Sequence, residues 1–283
     1  MKTLGIVGAG TMGGGIAYVA ALSGFDVLLH DVSSTVLEGA HDRFSADLQK
    51  GIDKGKISPE LAAQAKNRFR TVTSFQEFSS CDFVIEAARE KLDVKKDIFL
   101  QLEKYCSPSV IFASNTSSLS ITAIASSLKN PARVVGMHFF NPPHVMKLVE
   151  VIRGEHSSDD TIATTMMLAQ QLGKTAVLAK DTPGFIVNRC ARPFYGEALR
   201  ILGEGIASVE DIDRIVKLEG GFAMGPFELM DLIGIDVNLA VTKSMYEQTF
   251  GEARYRPHLI QQSMVNAGRL GRKTQRGFYT YEE

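Results

Sequence analysis

Short apolar runs and stretches of helical spacing alternate along the first two thirds of the chain. Leu4-Gly5-Ile6-Val7 and Asp26-Val27-Leu28-Leu29-His30-Asp31 read as strands. So do Phe69 to Thr73, Phe83 to Ala87, Val110 to Ser114, Val134 to Phe139, Lys147 to Ile152 and Thr175 to Ala179. Between the first two, Gly14 to Leu22 reads as a buried helix. Val36, Leu37, Ala40, Phe44, Leu48 and Ile52 recur at helical spacing and predict a long amphipathic helix ending near Gly51 or Gly55. Ser58-Pro59-Glu60 opens another, with serine as N-cap and proline in the first turn. Asp93 to Tyr105 and Leu119 to Leu128 read as further helices. This alternation predicts a doubly wound, mostly parallel sheet.

Past Asp181-Thr182-Pro183-Gly184 the pattern becomes helical throughout: Phe185 to Leu202, Ser208 to Lys217 with a Ser208/Asp211 capping box, Phe227 to Tyr246, and His258 to Asn266. The expected fold is therefore α/β, residues 1–182 with a helical excursion at about 36–68, followed by an all-α C-terminal domain over 183–283.

Composition narrows the function classes. Lys+Arg number 31 against 32 Asp+Glu, a net charge of −1, with 45% hydrophobic and 22% charged residues. Those values fit a globular protein, not a disordered chain, and argue against a nucleic-acid partner held by bulk positive charge. Three cysteines (Cys81, Cys106, Cys190) without a CxxC suggest neither a disulfide framework nor a zinc finger, so a reducing, cytoplasmic setting fits. From Thr3 to Phe25 no residue is charged, a length that suits a signal peptide or membrane span. Seven of those residues are glycine, which lowers apolarity and helix propensity. No membrane association is expected.

The glycines are ordered. Gly8-Ala9-Gly10-Thr11-Met12-Gly13 is G-x-G-x-x-G directly after a strand and opening a helix, and Asp31 ends the next strand 18 residues beyond Gly13. This is the fingerprint of a Rossmann-type dinucleotide site. Gly8 permits the tight turn, Gly10 admits the pyrophosphate to the backbone, and Gly13 lets helix and strand approach. Thr11 and Met12 complete the loop, and the Asp31 carboxylate would take the adenosine ribose hydroxyls.

Ligands on such sheets bind beyond the carboxyl ends of the strands. Three ends carry polar chemistry: Glu86-Ala87-Ala88-Arg89-Glu90-Lys91, Ser114-Asn115-Thr116-Ser117-Ser118 and His138-Phe139-Phe140-Asn141-Pro142-Pro143. Alone, Asn-Thr-Ser-Ser reads as a helix cap, and a lone His138 as a core histidine. A carboxylate changes that reading. If the strands through His138 and Glu150 pair antiparallel about a turn centred on His144, those two residues, equidistant from it, face each other. Glu150 would then accept the Nδ1–H of His138, fix its tautomer and leave Nε2 for proton transfer. A histidine acid/base beside a dinucleotide site points to a dehydrogenase. The other histidines have no comparable company, and no His/Cys grouping has metal-ligand spacing, so no metal is expected.

With these pieces in place the chain resembles, over essentially its whole length, the short-chain L-3-hydroxyacyl-CoA dehydrogenases, and most closely their bacterial 3-hydroxybutyryl-CoA branch. The resemblance rests on Gly8 to Ala17, Ser114 to Ser118, His138 to Pro142, Lys147 to Val151, Lys180 to Arg189, Met224 to Leu229 and Gly277-Phe278-Tyr279. It implies reversible oxidation of (S)-3-hydroxybutyryl-CoA to acetoacetyl-CoA with NAD, His138 being the acid/base and Glu150 its orienting partner. It also implies that Ser117 and Asn188, one from each domain, hold the 3-oxygen of the substrate and the nicotinamide region in a cleft. Asp31, Glu90, Lys95, Ser117, Asn141 and Lys273 would approach the cofactor, with Asp31 disfavouring NADP by repelling its 2′-phosphate.

Coenzyme A carries phosphates, and Lys50, Lys54 and Lys56 form a cationic cluster near the end of the long helix. The cluster reads either as a solvated face or, with the resemblance, as the CoA contact, Lys54 first and Lys50 second. The apolar faces of the helical domain read as core or as a homodimer surface. Two departures from the family pattern stand out: Lys91, where many relatives have Asn, and Gln275, in place of a glycine of the terminal run. Rival readings are a dehydrogenase of a free hydroxy or sugar acid, and a cofactor-binding structural protein of the crystallin kind.

Overall fold

The computed structural model describes residues 1–281 and divides into two compact units, Met1–Thr182 and the chain from Pro183 onward. In the first unit eight strands form one sheet: β1 (Thr3–Val7), β2 (Asp26–His30), β3 (Phe69–Val72), β4 (Phe83–Glu86), β5 (Ile111–Ser114), β6 (Val134–Phe139), β7 (Leu148–Arg153) and β8 (Thr175–Lys180). Their spatial order is β3-β2-β1-β4-β5-β6-β7-β8. The first six run parallel, β7 is antiparallel to β6, and β8 is parallel to β7. Every residue of β4, β5 and β6 is buried, so these strands read as continuous apolar runs and not as alternating ones.

The connecting helices are α1 (Thr11–Leu22), α2 (Ser34–Asp53), α3 (Pro59–Arg68), α4 (Leu92–Tyr105), α5 (Ile121–Ala125) and α6 (Asp159–Gln171). Ser58 caps α3 as its sequence predicts, accepting the Leu61 N–H at 3.2 Å. Two helices depart from expectation. α5 is one short turn, not the ten residues from Leu119 to Leu128. α6, the crossover between parallel β7 and β8, is absent from the pattern reading because two of its buried positions are threonines. Thr161 Oγ1 donates to Ala132 O at 2.9 Å and Thr165 Oγ1 to Thr161 O at 2.7 Å, so both hydroxyls are satisfied inside the core.

The second unit consists of α7 (Val187–Gly203), α8 (Val209–Leu218), α9 (Pro226–Ile233), α10 (Ile235–Gln248) and α11 (Leu259–Asn266). The single helix expected from Phe227 to Tyr246 is broken at Gly234, whose φ of 100° no helix accommodates. Gly225 at the N-cap of α9 has no side chain to cap it. Asp213 of α8 does so instead, accepting the Phe227 and Glu228 N–H groups at 2.9 Å each. Asp231, fully buried, accepts from Phe278 N, Tyr279 N and Tyr281 Oη and so clasps the terminal segment to α9. Gln275 in that segment sits at φ 55°, the left-handed region that glycine enters without strain.

Candidate active site

The glycine loop lies at the carboxyl ends of β1, β2 and β4, where the sheet reverses its winding order. Gly8 adopts φ 100° and donates its N–H to His30 O at 2.8 Å. A Cβ there would meet the Ala87 carbonyl oxygen at 2.7 Å, and one on Gly13 would lie 1.7 Å from Gly8 O. A Cβ on Gly10 would meet nothing within 4 Å. Gly10 N-caps α1 without a side chain, and the first turn of α1 carries no acid, so its N–H groups face outward unneutralised. Thr11 is exposed and Met12 half-buried. Asp31 is fixed beside them: Oδ2 accepts the Ala9 N–H at 2.9 Å and Oδ1 the Ser33 N–H at 3.1 Å. Arg43 on α2 reaches across to Ala9 O at 3.1 Å. An open glycine at a helix N-terminus, with a carboxylate one strand away, fits the diphosphate and ribose of a dinucleotide.

A charge network, buried at Lys95 and Glu86 and open to solvent at Glu90, underlies the next strand ends. Lys95 of α4, 1% exposed, donates to Glu86 at 2.7 and 2.9 Å and lies 3.3 Å from Glu90 Oε2. Glu86 Oε2 also accepts from Ser114 Oγ at 2.6 Å, and its Oε1 accepts the Ala88 N–H at 2.7 Å. Glu90 Oε1 gathers Thr116 Oγ1 at 2.6 Å and Ser117 N at 2.9 Å, with the Ser117 and Ser118 hydroxyls at longer range. Burial pushes the Glu90 carboxyl upward, but Lys95 and these donors outweigh it and hold it below the ordinary 4.5. Lys95 therefore touches Glu86 and Glu90 instead of presenting its ammonium at the surface. Glu86, Ser114 and Thr116 stand at polar strand ends that the sequence marks, but nothing in it shows that they meet Lys95 and Glu90.

His138 and Glu150 are direct partners in the β6–β7 ladder. His138 Nδ1 lies 2.8 Å from Glu150 Oε2, and the two residues are 6% and 1% exposed. A carboxylate can only accept, so Nδ1 is the donor in this contact. The Phe140 ring packs 4.5 Å from the imidazole. Asn115 Oδ1 accepts the Phe139 N–H at 2.8 Å and ties the end of β5 to β6, a role the sequence reading does not assign. Thr116 Oγ1 accepts the Ser118 and Leu119 N–H groups in a turn, but the helix cap expected of this run falls instead to Ser120, which accepts the Ala123 N–H at 3.1 Å. Asn141 follows β6 at the surface and precedes a cis proline, Pro142.

The remaining expected residues lie elsewhere. Lys50 and Lys54 are exposed at the end of α2, Lys54 as its C-cap. Asn188 sits in the first turn of α7 in the second unit. Lys273, also in the second unit, donates to Asp236 at 2.7 Å. His30, a neighbour of Asp31 in sequence, is 2% exposed, with Nε2 3.2 Å from Thr73 O and its ring stacked on Phe75. No described helix is long and apolar enough to cross a membrane.

Comparison with known proteins places the chain in a class. Residues 3–182 match the family described as 3-hydroxyacyl-CoA dehydrogenase, NAD binding domain, and residues 184–281 match its C-terminal domain. The chain belongs to the 3-hydroxyacyl-CoA dehydrogenase family of NAD-dependent oxidoreductases. It is 47% identical over 281 residues to the 3-hydroxyadipyl-CoA dehydrogenase of Escherichia coli K12, covering 99% of itself but only 59% of that relative. A probable 3-hydroxybutyryl-CoA dehydrogenase of Deinococcus radiodurans is 44% identical over 277 residues, 98% of this chain and 99% of its own. The crystal structure of (S)-3-hydroxybutyryl-CoA dehydrogenase from Ralstonia eutropha superposes with a TM-score of 0.95 at 44% identity, covering all of both chains.

Proposed function

We propose that this chain catalyses the reversible NAD-dependent oxidation of (S)-3-hydroxybutyryl-CoA to acetoacetyl-CoA. The 2.8 Å contact between His138 Nδ1 and Glu150 Oε2, beside a dinucleotide-type loop, carries the reading. In oxidation His138 Nε2 takes the proton of the C3 hydroxyl, and in the reverse direction it returns that proton to the C3 oxygen. Glu150, 1% exposed, stabilises the imidazolium formed in between and keeps the ring from turning. Bound NAD supplies the hydride acceptor for C3. Gly8, Gly10 and Gly13 with Thr11 and Met12 hold its diphosphate, and Asp31 its adenosine ribose, favouring NAD over NADP. Glu90, held by Lys95, sets the position of Ser117. Ser117 and Asn188 hold the 3-oxygen and the nicotinamide region, with Asn141 and Lys273 near the cofactor. Lys54 and Lys50 meet the CoA phosphates, and the helical domain carries a homodimer contact.

The test is substitution at the pair. His138→Gln should lower turnover of acetoacetyl-CoA by about 10²–10⁴-fold with NADH binding retained, and Glu150→Gln should fall in the same range. Near-normal steady-state turnover in purified, folded His138→Gln protein would sink the assignment.

A further inference from the structure

Arg192, on α7, is 5% exposed. Its Nη1 donates to Asn238 O at 2.8 Å and Thr242 Oγ1 at 3.2 Å, and its Nη2 lies 3.5 Å from Asn188 Oδ1. The guanidinium carbon stands 4.8 Å from the centre of the Tyr195 ring. None of these partners is an anion. Among the described residues Arg192 Nε has no hydrogen-bond partner, and neither does the nearby Asn238 Nδ2, although both atoms are buried. Arg133 in the first unit is equally buried and its Nε is likewise unpartnered among the described residues, but it lies 3.3 Å from Glu103 and donates to two carbonyl oxygens, so the anion is what Arg192 lacks by comparison. Stripping water from a cation costs several kcal/mol, about enough to unfold a marginal domain, unless an anion replaces it. Burial pushes Arg192 down to about 10, which Tyr195 opposes only in part, yet the group stays cationic near neutrality.

From the missing anion and the two orphaned donors we infer that Arg192 selects the acyl chain: it receives a carboxylate at the far end of a 3-hydroxyacyl or 3-oxoacyl group carried on CoA. This rests on the reading that Asn188 faces the reacting oxygen. Asn188 and Arg192 are four residues apart on one helix, hence on the same face and separated by about 6 Å along the axis. That interval suits an acyl group of about six carbons whose terminal carboxylate lies one helical turn from C3. Arg192 Nε and Asn238 Nδ2 would each donate to one carboxylate oxygen, which satisfies both buried donors and neutralises the charge.

The experiment compares NADH-dependent reduction of 3-oxoadipyl-CoA and 3-oxohexanoyl-CoA, equal in length and different only at the chain end, with acetoacetyl-CoA as reference. Wild-type kcat/KM should favour the carboxylate end by about ten-fold or more, chiefly through KM. In Arg192→Met that ratio should fall to about one or below, while Arg192→Lys, which keeps the charge but not the planar fork, should retain part of it. Each ratio is taken within one variant, so a general loss of folded protein cancels. A wild-type ratio near one, or a ratio unchanged in Arg192→Met, overturns the inference. Protein that reduces acetoacetyl-CoA without preferring the carboxylate end overturns this inference alone. Protein inert toward all three substrates overturns the proposed activity with it.

Discussion

Lys95 and Arg192 are both cations withdrawn from water, and their surroundings are opposite. Lys95 has two carboxylates, the buried Glu86 and the 38% exposed Glu90, which also accept from Ser114, Ala88, Thr116 and Ser117. Arg192 has carbonyl, hydroxyl and amide oxygens and a ring, and among the described residues its Nε has no partner. The first network pairs its cation with anions inside the protein and so contributes to its stability. The second is incomplete in a way that a ligand would complete. A closed network resists removal of any member, whereas an open one is under little stabilising load until its ligand arrives.

Stability measurements can break this contrast. Lys95→Met should be the most damaging change, since it leaves Glu86 buried with no cation. The expected cost is about 3–5 kcal/mol, a fall of roughly 10 °C in Tm by thermal unfolding. Arg192→Met, similar in volume, should cost about 1 kcal/mol or less, because relief of the uncompensated charge offsets the lost hydrogen bonds. Equal losses in the two variants would erase the distinction between closed and open. The smallest effect is expected in acid. The folded Glu90 carboxyl titrates below its ordinary 4.5, so its contribution is present above that pH and is lost as pH falls through the folded value. Tm of the wild type should therefore drop more steeply than that of Glu90→Gln on acidification from about pH 5 to 3. Parallel curves would show that Lys95 does not hold the Glu90 charge.

Much of the His138–Glu150 pairing was legible because strand periodicity and a short link jointly determine register. Once β6 and β7 turn about His144, a side chain six positions before it must face one six positions after. The glycine loop was legible for a related reason: the Gly13 position lies against Gly8 O, a steric demand that only glycine meets. Charge networks leave no such trace. Glu86 reads as the end of an apolar strand, and only the sheet brings it to Lys95 and to Ser114. Arg192 sits in a helical run, where nothing local reveals that Asn238 and Thr242, some fifty positions later, enclose it. α6 was hidden by threonines whose hydroxyls are satisfied only after folding. Gln275 shows the converse, a family glycine position whose backbone need persists after the glycine is gone.

The place of β1 between β2 and β4 has a consequence for synthesis. Leu4 pairs with Val27 on one side and with Phe83 on the other. The second pairing joins residues 79 positions apart, the widest sequence interval of any ladder in the sheet. At translation rates of ~5–20 residues per second, β1 waits about 4–16 s for that neighbour to be made. Throughout that interval one edge of an uncharged, glycine-broken strand stands open to any other nascent chain. A strand buried at all but its first residue in the finished enzyme is thus left open on the ribosome, and a charge placed there for protection would have no room once the sheet closes.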